Sequence, residues 1–549
     1  MNLPVRIAVP VALVSLLALT ASPAAGASPA DAALGNINHI VVIYQENHSF
    51  DNLYGSWERV NGLGRAEGAH TTQIGQGGVP YTCLKQNEPL LAAAQPQDCI
   101  DSTTGTTFAS HFPNAPFTID GYIPSTVPTE DLVHRYYQEQ YQLNGGNQNR
   151  YVTGSDAIGL TMGQYNTQLL PIYQYLHMAG HPQYAIADKF FQASFGGSFL
   201  NHQWLVAAAT PVFAGALNDG SSDDRHSVVD ANGMPANPPL YQSPLGAAVK
   251  DFNLTASCHP AATRPRTPTG VVCGDFAVNT TQPIYQPYFP GTPEARRLPA
   301  LAVTPGSTAN VTIGDELNSA HVDWAWYSGG WDNAAGNTKS QDYTNGPGPT
   351  CADPNHLPSD TYPYCADKLF QFHHQPFNYF ASFAPGTRAR RDHLRDEAEF
   401  LRKASTSTTQ CKLKPVSFVK PIGEENEHPG YTNEAQGSQH LVDLIKAIEG
   451  SACKKDTLVV ATYDEFGGQW DHVTPPGQGG SGGVADQWGP GTRIPALVIS
   501  PNLNGDFVVD HVAHDTTSIL TTIEHRFGLA PLGTRDAAVR DLSSVYMAH

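Results

Sequence analysis

Charge is scarce in this chain. Asp, Glu, Lys and Arg make up only 15% of its 549 residues, against 40% hydrophobic. That balance argues against a disordered chain and leaves enough apolar material for a sizeable buried core. Positive charge is scarcer still. There are 31 Lys and Arg against 50 Asp and Glu, a formal charge of -19. Such acidity argues against nucleic acid as a bulk electrostatic partner. A small anion remains possible, because one bound divalent cation can reverse the local field. No two cysteines are spaced as C-x-x-C, so a thiolate metal site is not expected. There is no internal repeat and no clear linker. Beyond the first twenty residues no apolar run approaches membrane-spanning length, so no stable membrane anchor is expected in the mature chain.

What is present begins with an export signal. Arg6 gives a positive start, Ile7 to Leu19 is almost unbroken apolar, and Ala25-Gly26-Ala27 offers small residues for cleavage. The expected organisation is a signal peptide over 1–27 and one catalytic domain over 28–549. The alternative for the first segment is an uncleaved anchor. Export, to the periplasm or beyond, permits disulfides among the eight cysteines. Sequential pairing closes the shortest loops: Cys83 with Cys99, Cys258 with Cys273, Cys351 with Cys365, and Cys411 with Cys453.

Three short apolar runs read as buried strands: Asn38 to Tyr44, Thr457 to Thr462 and Ile494 to Ser500. Runs of this kind suit a central, mostly parallel sheet covered on both faces. Leu441, Leu444, Ile445 and Ile448 recur at helical spacing, with Gly450 as a stop. Ile519, Leu520, Ile523 and Phe527 repeat the pattern, with Asp515 as a possible N-cap and Gly528 as a stop. Alternating strands and helices predict an α/β architecture. Residues 210–315 are rich in Pro, Gly and Thr and read as a loop or cap insertion.

Three clusters carry chemistry. Glu46-Asn47-His48-Ser49-Phe50-Asp51-Asn52 follows the first strand directly, where open α/β sheets collect ligands. A carboxylate and an amide oxygen there suit a hard cation. The plainer reading is turn chemistry. Asn47-His48-Ser49 is also a glycosylation sequon, which burial would leave unmodified. Asp464-Glu465 ends another strand, and adjacent carboxylates there repel unless a cation or proton lies between them. The plainer reading is a pair of solvated acids. Gly467 and Gly468 would let the backbone turn closely beneath the site. Gly196-Gly197-Ser198 delivers a hydroxyl to the start of a helix through Trp204, where unpaired N–H groups favour phosphate. The plainer reading is an ordinary Ser N-cap. Metal coordination can activate serine without a histidine base.

Together these segments resemble the phosphoesterase family of bacterial acid phosphatases and phospholipases C, within the alkaline phosphatase superfamily. The resemblance rests on H-I-V-V-I-Y-Q-E-N-H-S-F-D-N-L-Y-G (39–55), F-G-G-S-F-L-N-H (195–202), E-H-P (427–429), T-Y-D-E-F-G-G-Q-W-D-H-V (462–473) and H-D-T-T-S-I-L (514–520). It implies an alkaline-phosphatase-like three-layer α/β sandwich with long loop insertions. It implies one divalent metal (Ca, Mg, Mn or Zn) held by Glu46, Asn47, Asp464 and Glu465, with Ser198 completing the sphere as nucleophile. His134, His374 and His428 would contact phosphate or the leaving oxygen, with His373 an alternative to its neighbour. The family more often has Arg at the position of His48. Its phospholipase C branch usually has Thr at the position of Ser198.

That serine leans towards an acid-phosphatase-type phosphomonoesterase working through a phosphoserine. The alternatives are a phospholipase C cleaving phosphodiester headgroups and an inactive secreted binding protein. The substrate would be a phosphorylated small molecule or a phospholipid. Trp324, Trp326, Tyr327 and Trp331 could wall its pocket, although alternating Trp324 and Trp326 read more simply as core on a strand.

Overall fold

The computed structural model describes residues 29–91, 98–101, 105–110, 112–212, 228–229, 240–241, 249–250, 287–288, 298–343 and 370–549. The expected signal peptide, most of the 210–315 insertion and the pairs Cys258–Cys273 and Cys351–Cys365 lie outside them. The other two disulfides are formed, Cys83–Cys99 and Cys411–Cys453. They are consistent with an extracytoplasmic protein. Among the described residues no helix is long and apolar enough to cross a membrane.

One eight-stranded sheet organises the chain: β1 His39–Gln45, β2 Tyr184–Ala187, β3 Trp324–Ser328, β4 Leu394–Asp396, β5 Val416–Lys420, β6 Thr457–Tyr463, β7 Ala496–Ile499 and β8 Phe507–Asp510. Their order across the sheet is β4-β3-β5-β1-β6-β7-β2-β8. Only β7 runs against the others. The sheet is therefore mixed and mostly parallel, as expected. The three predicted strand runs are β1, β6 and β7. They are almost entirely buried, because helices cover the sheet and leave no face for polar side chains.

The helices that matter here are α1 Phe50–Tyr54, α2 Tyr136–Leu143, α3 Ser198–Ala207, α4 Glu397–Ser405, α5 Glu434–Glu449 and α6 Thr517–Phe527. The strand pleat assigns them to faces. Tyr44 on β1 donates to the Asn201 carbonyl of α3, and Trp326 on β3 packs towards His202 of the same helix. Tyr327, the next residue, packs on Phe400 of α4. Tyr463 bonds Glu427, which lies against Gly437 of α5. One face of the sheet thus carries α3 and the other α4 and α5.

The predicted helix stops hold. Gly450 caps α5, and Gly528 ends α6 in the left-handed region. The start of α6 differs by one residue. Thr516 occupies the cap position, while the Asp515 carboxylate still accepts the Thr517 N–H at 2.7 Å. Trp324, Trp326, Tyr327 and Trp331 are all buried, so they are core and wall no open pocket. Trp326 has a further contact: its indole N–H donates to the His374 carbonyl at 2.7 Å.

Candidate active site

Register places the acids. In the parallel pair β1 and β6, Tyr44 faces Thr462 and Gln45 faces Tyr463. Glu46-Asn47 and Asp464-Glu465 therefore leave the sheet side by side, from strands about 4.8 Å apart. The Asp464 N–H extends the ladder by one bond, to the Gln45 carbonyl at 3.1 Å. Gly467, at φ +62°, turns under them. A Cβ there would stand 2.1 Å from the Asn47 carbonyl oxygen, so only glycine fits this approach.

Ser198 arrives from the other side, as the first residue of α3 after Gly197. Its hydroxyl donates to Glu465 Oε1 at 3.3 Å. One turn later on α3, His202 donates from Nδ1 to the Ser198 carbonyl at 2.8 Å, and that nitrogen stands 3.6 Å from Asp464 Oδ2. His134 reaches Glu465 Oε1 from Nε2 at 3.3 Å, while its Nδ1 donates to the Leu132 carbonyl. His428 repeats this arrangement. Its Nδ1 donates to the Pro429 carbonyl at 2.6 Å, and its Nε2 points to Glu46 Oε2 at 3.7 Å. Backbone carbonyls thus fix His134, His202 and His428 with the proton on Nδ1 and Nε2 turned away from that contact.

Of the adjacent histidines, His374 is the one that touches Glu46, from Nε2. His373 stands edge-on to it, and its own Nε2 has no hydrogen-bond partner. All the expected site residues are buried: Glu46, Asn47, His134, Ser198, His373, His374, His428, Asp464 and Glu465.

The electrostatics are those of a site short of positive charge. Burial raises Asp464 well above the usual carboxylate range, and the Glu46 charge adds to it. Burial, then Asp464, does the same to Glu465. For Glu46 burial also opposes ionisation, but His374 and Lys420 outweigh it and hold the carboxyl well below its ordinary range. Burial pushes His374 down to about 4, so at neutral pH it meets Glu46 as a neutral donor. Lys420, fully buried, also stands beside Glu46, with Nζ 2.7 Å from Oε1. Burial also lowers His134, and lowers His202 and His373 well below the ordinary range.

A divalent cation fits this donor set. Among the described residues, three buried carboxylates face the Lys420 ammonium, and the Asn47 amide has no hydrogen-bond partner. Ligating atoms of Glu46, His202 and His374 lie within 4.8 Å of one another, as do those of Asp131, His134 and His428. These clusters, the first wholly buried and the second with Asp131 exposed, could hold a metal. A third such group, Asp51, Asp471 and His472, is filled by Arg493, whose guanidinium bonds both aspartates.

The first sequence cluster therefore splits. Glu46 and Asn47 face the site. Ser49 caps α1, Asp51 pairs with Arg493, and Asn52 donates to the Gly163 carbonyl. His48 points away as well, between Glu434 and the Glu427 carbonyl. Two site residues escaped the sequence reading. Lys420 is legible as a charge closing a buried strand, V-S-F-V-K, and His202 as a histidine one helical turn after Ser198. Two large cavities, about 820 and 980 Å³, lie elsewhere and touch none of these groups.

Fold and site define an α/β protein with a buried serine, carboxylate and histidine centre at the carboxyl ends of parallel strands. The chain belongs to the Phosphoesterase family, which matches residues 37–530. It is similar to "Phospholipase C B" of Mycobacterium tuberculosis, 35% identical over 156 residues, which is 25% of this chain and 30% of that one. It is also similar to "Non-specific phospholipase C6" of Arabidopsis thaliana, 31% identical over 23% of this chain and 28% of that one. "Non-hemolytic phospholipase C" of Burkholderia pseudomallei is 30% identical over 24% and 23%. The match spans less than a third of each of these relatives. A solved structure titled "Crystal structure of Ps i-CgsB" matches with 13% identity, 45% of this chain, 60% of that one and a TM-score of 0.21, too low to bear on the fold.

Proposed function

We propose that the protein is a metal-dependent phosphodiesterase of the phospholipase C type, with Ser198 as nucleophile and a phospholipid as substrate. The observation that carries this reading is the Ser198 hydroxyl at the start of α3, 3.3 Å from Glu465 Oε1 and beside Asp464. The named relatives, all phospholipases C, favour a diester over a monoester.

Glu46, Asn47, Asp464, Glu465 and Ser198 would hold the metal. A divalent cation supplies charge that offsets the phosphoryl oxygens and lowers the pKa of a coordinated hydroxyl. Ser198 Oγ attacks phosphorus in line, and the bond to the leaving alcohol oxygen breaks. The Ser198 hydroxyl proton passes to a histidine Nε2, His134 or His428, free to accept because each Nδ1 donates to a backbone carbonyl, and that Nε2 then delivers it to the leaving oxygen. The first turn of α3 offers backbone N–H groups to the phosphoryl oxygens. His374, fixed by Trp326, keeps its one N–H on Glu46 and so orients that carboxylate. Water then cleaves the phosphoserine, returning the proton to Ser198.

A phosphomonoesterase is the second reading. Ser198 itself favours it, since the resemblance places Thr there in phospholipases C.

The test is release from p-nitrophenylphosphorylcholine, phosphatidylcholine and p-nitrophenyl phosphate, with and without chelator. Chelator-sensitive cleavage of the diesters supports the proposal. Cleavage of the monoester alone replaces it with the second reading. Silence on all three, in protein carrying metal, leaves a binding protein.

A further inference from the structure

The segment D-L-V-H-R-Y-Y-Q-E-Q contributes His134 to the site and then continues into α2. Five residues after His134 comes Glu139, a carboxylate the mechanism does not use. It is completely buried, and among the described residues no Lys or Arg hydrogen-bonds it. Four donors surround it instead. Oε2 accepts from the Gly196 N–H at 2.6 Å and from Gln192 Nε2 at 2.9 Å. Oε1 accepts from the Thr492 N–H at 2.6 Å and from Thr492 Oγ1 at 2.9 Å.

Gly196 and Gln192 belong to the segment that leads into Ser198, and Thr492 to the segment that leads into β7. Gly196 is two residues before Ser198. It sits at φ +90°, and a Cβ there would stand 2.5 Å from the Tyr136 N, at the start of α2. Gln192, whose Nε2 is held by Glu139, accepts the Phe466 N–H on its own Oε1 at 2.9 Å. Phe466 directly follows Glu465. One side chain therefore ties the approach of Ser198 to the loop that carries Glu465, from the helix that begins beside His134. Removing a buried acceptor leaves its donors unsatisfied, at a cost of about 1–3 kcal/mol each. Misplacing a nucleophile by about 1 Å can lower turnover roughly a hundredfold.

We propose that Glu139 is a positioning residue, which sets Ser198 against Glu465 by holding Gly196 and Gln192 together. It rests on the reading of Ser198 as nucleophile, so it is tested by two independent measurements. The first needs no activity. Hydrogen exchange of the peptide around 193–200 is compared in wild type, Glu139→Gln and Thr492→Val. Glu139→Gln turns an N–H₂ towards one set of donors. Thr492→Val removes one contact of Oε1 and leaves the backbone bond. Faster exchange of that peptide in Glu139→Gln, with Thr492→Val unchanged there, supports the proposal. Undiminished protection in Glu139→Gln overturns it, whether or not the enzyme reading survives. The second measurement is kinetic, on the diester that wild type cleaves. The expected result for Glu139→Gln is a kcat at least tenfold lower with KM within threefold, while Thr492→Val stays within twofold in both. Equal kcat losses in the two variants at equal losses of Tm overturn it. Should Glu139→Gln not fold, Glu139→Asp replaces it in both measurements, since its shorter side chain cannot reach Gly196 and Thr492 together.

Discussion

The Ser198 hydroxyl donates to Glu465 Oε1 at 3.3 Å, although 267 positions of sequence separate the two residues. A serine is a weak nucleophile at its own pKa, and under the proposed function this is the hydroxyl that a metal held by the neighbouring acids would activate.

Ser198→Ala should keep the fold, because a hydroxyl at the first position of α3 carries little of the packing. It should lower diester cleavage by about 10³-fold or more. Steady-state assays beside a thermal melt check both halves.

Asp464 and Glu465 make the site costly without metal. Because Asp464 and Glu465 are raised when folded, their effect favours the folded state below about pH 4 and is lost as pH rises towards the raised values. In chelator at neutral pH, Asp464→Asn should therefore melt above wild type. With excess divalent cation the order should reverse, because wild type gains more from binding. Scanning calorimetry in both buffers decides it.

Arg493 holds Asp51 and Asp471 together in a fully buried cluster. Arg493→Ala takes the cation from Asp471 and leaves Asp51 with His472 alone, and should cost about 3–5 kcal/mol in denaturant melts. Arg493→Lys should recover only part, since an ammonium cannot reproduce the contacts of the guanidinium fork.

His440 bonds Glu397 at 2.7 Å, at the packing of α5 on α4. Burial alone would lower it, but Glu397 raises it to about 9. The stabilisation is then full below its ordinary pKa of about 6.5 and fades as pH rises through 9. His440→Phe should melt below wild type at pH 6, with the gap closing by pH 10. Melting curves across that range are the check.

Local sequence determined the strands, the helix stops and the chemical types at the site. Continuous apolar runs such as Thr457–Thr462 can only be buried, and the acids after them must then emerge at a strand end. The motifs also named Ser198, Glu46 and Asp464 through family resemblance. Tertiary structure decided which neighbours share a task. Within seven consecutive residues it turned Glu46 and Asn47 to the site and spent Ser49 and Asp51 on a cap and an ion pair. It chose His374 over His373 for contact with Glu46. It also brought in Lys420 and Glu139, whose roles come entirely from partners far along the chain. The physical reason is that burial and pleat direction depend on which strands pair, and pairing is a long-range event that no local window contains.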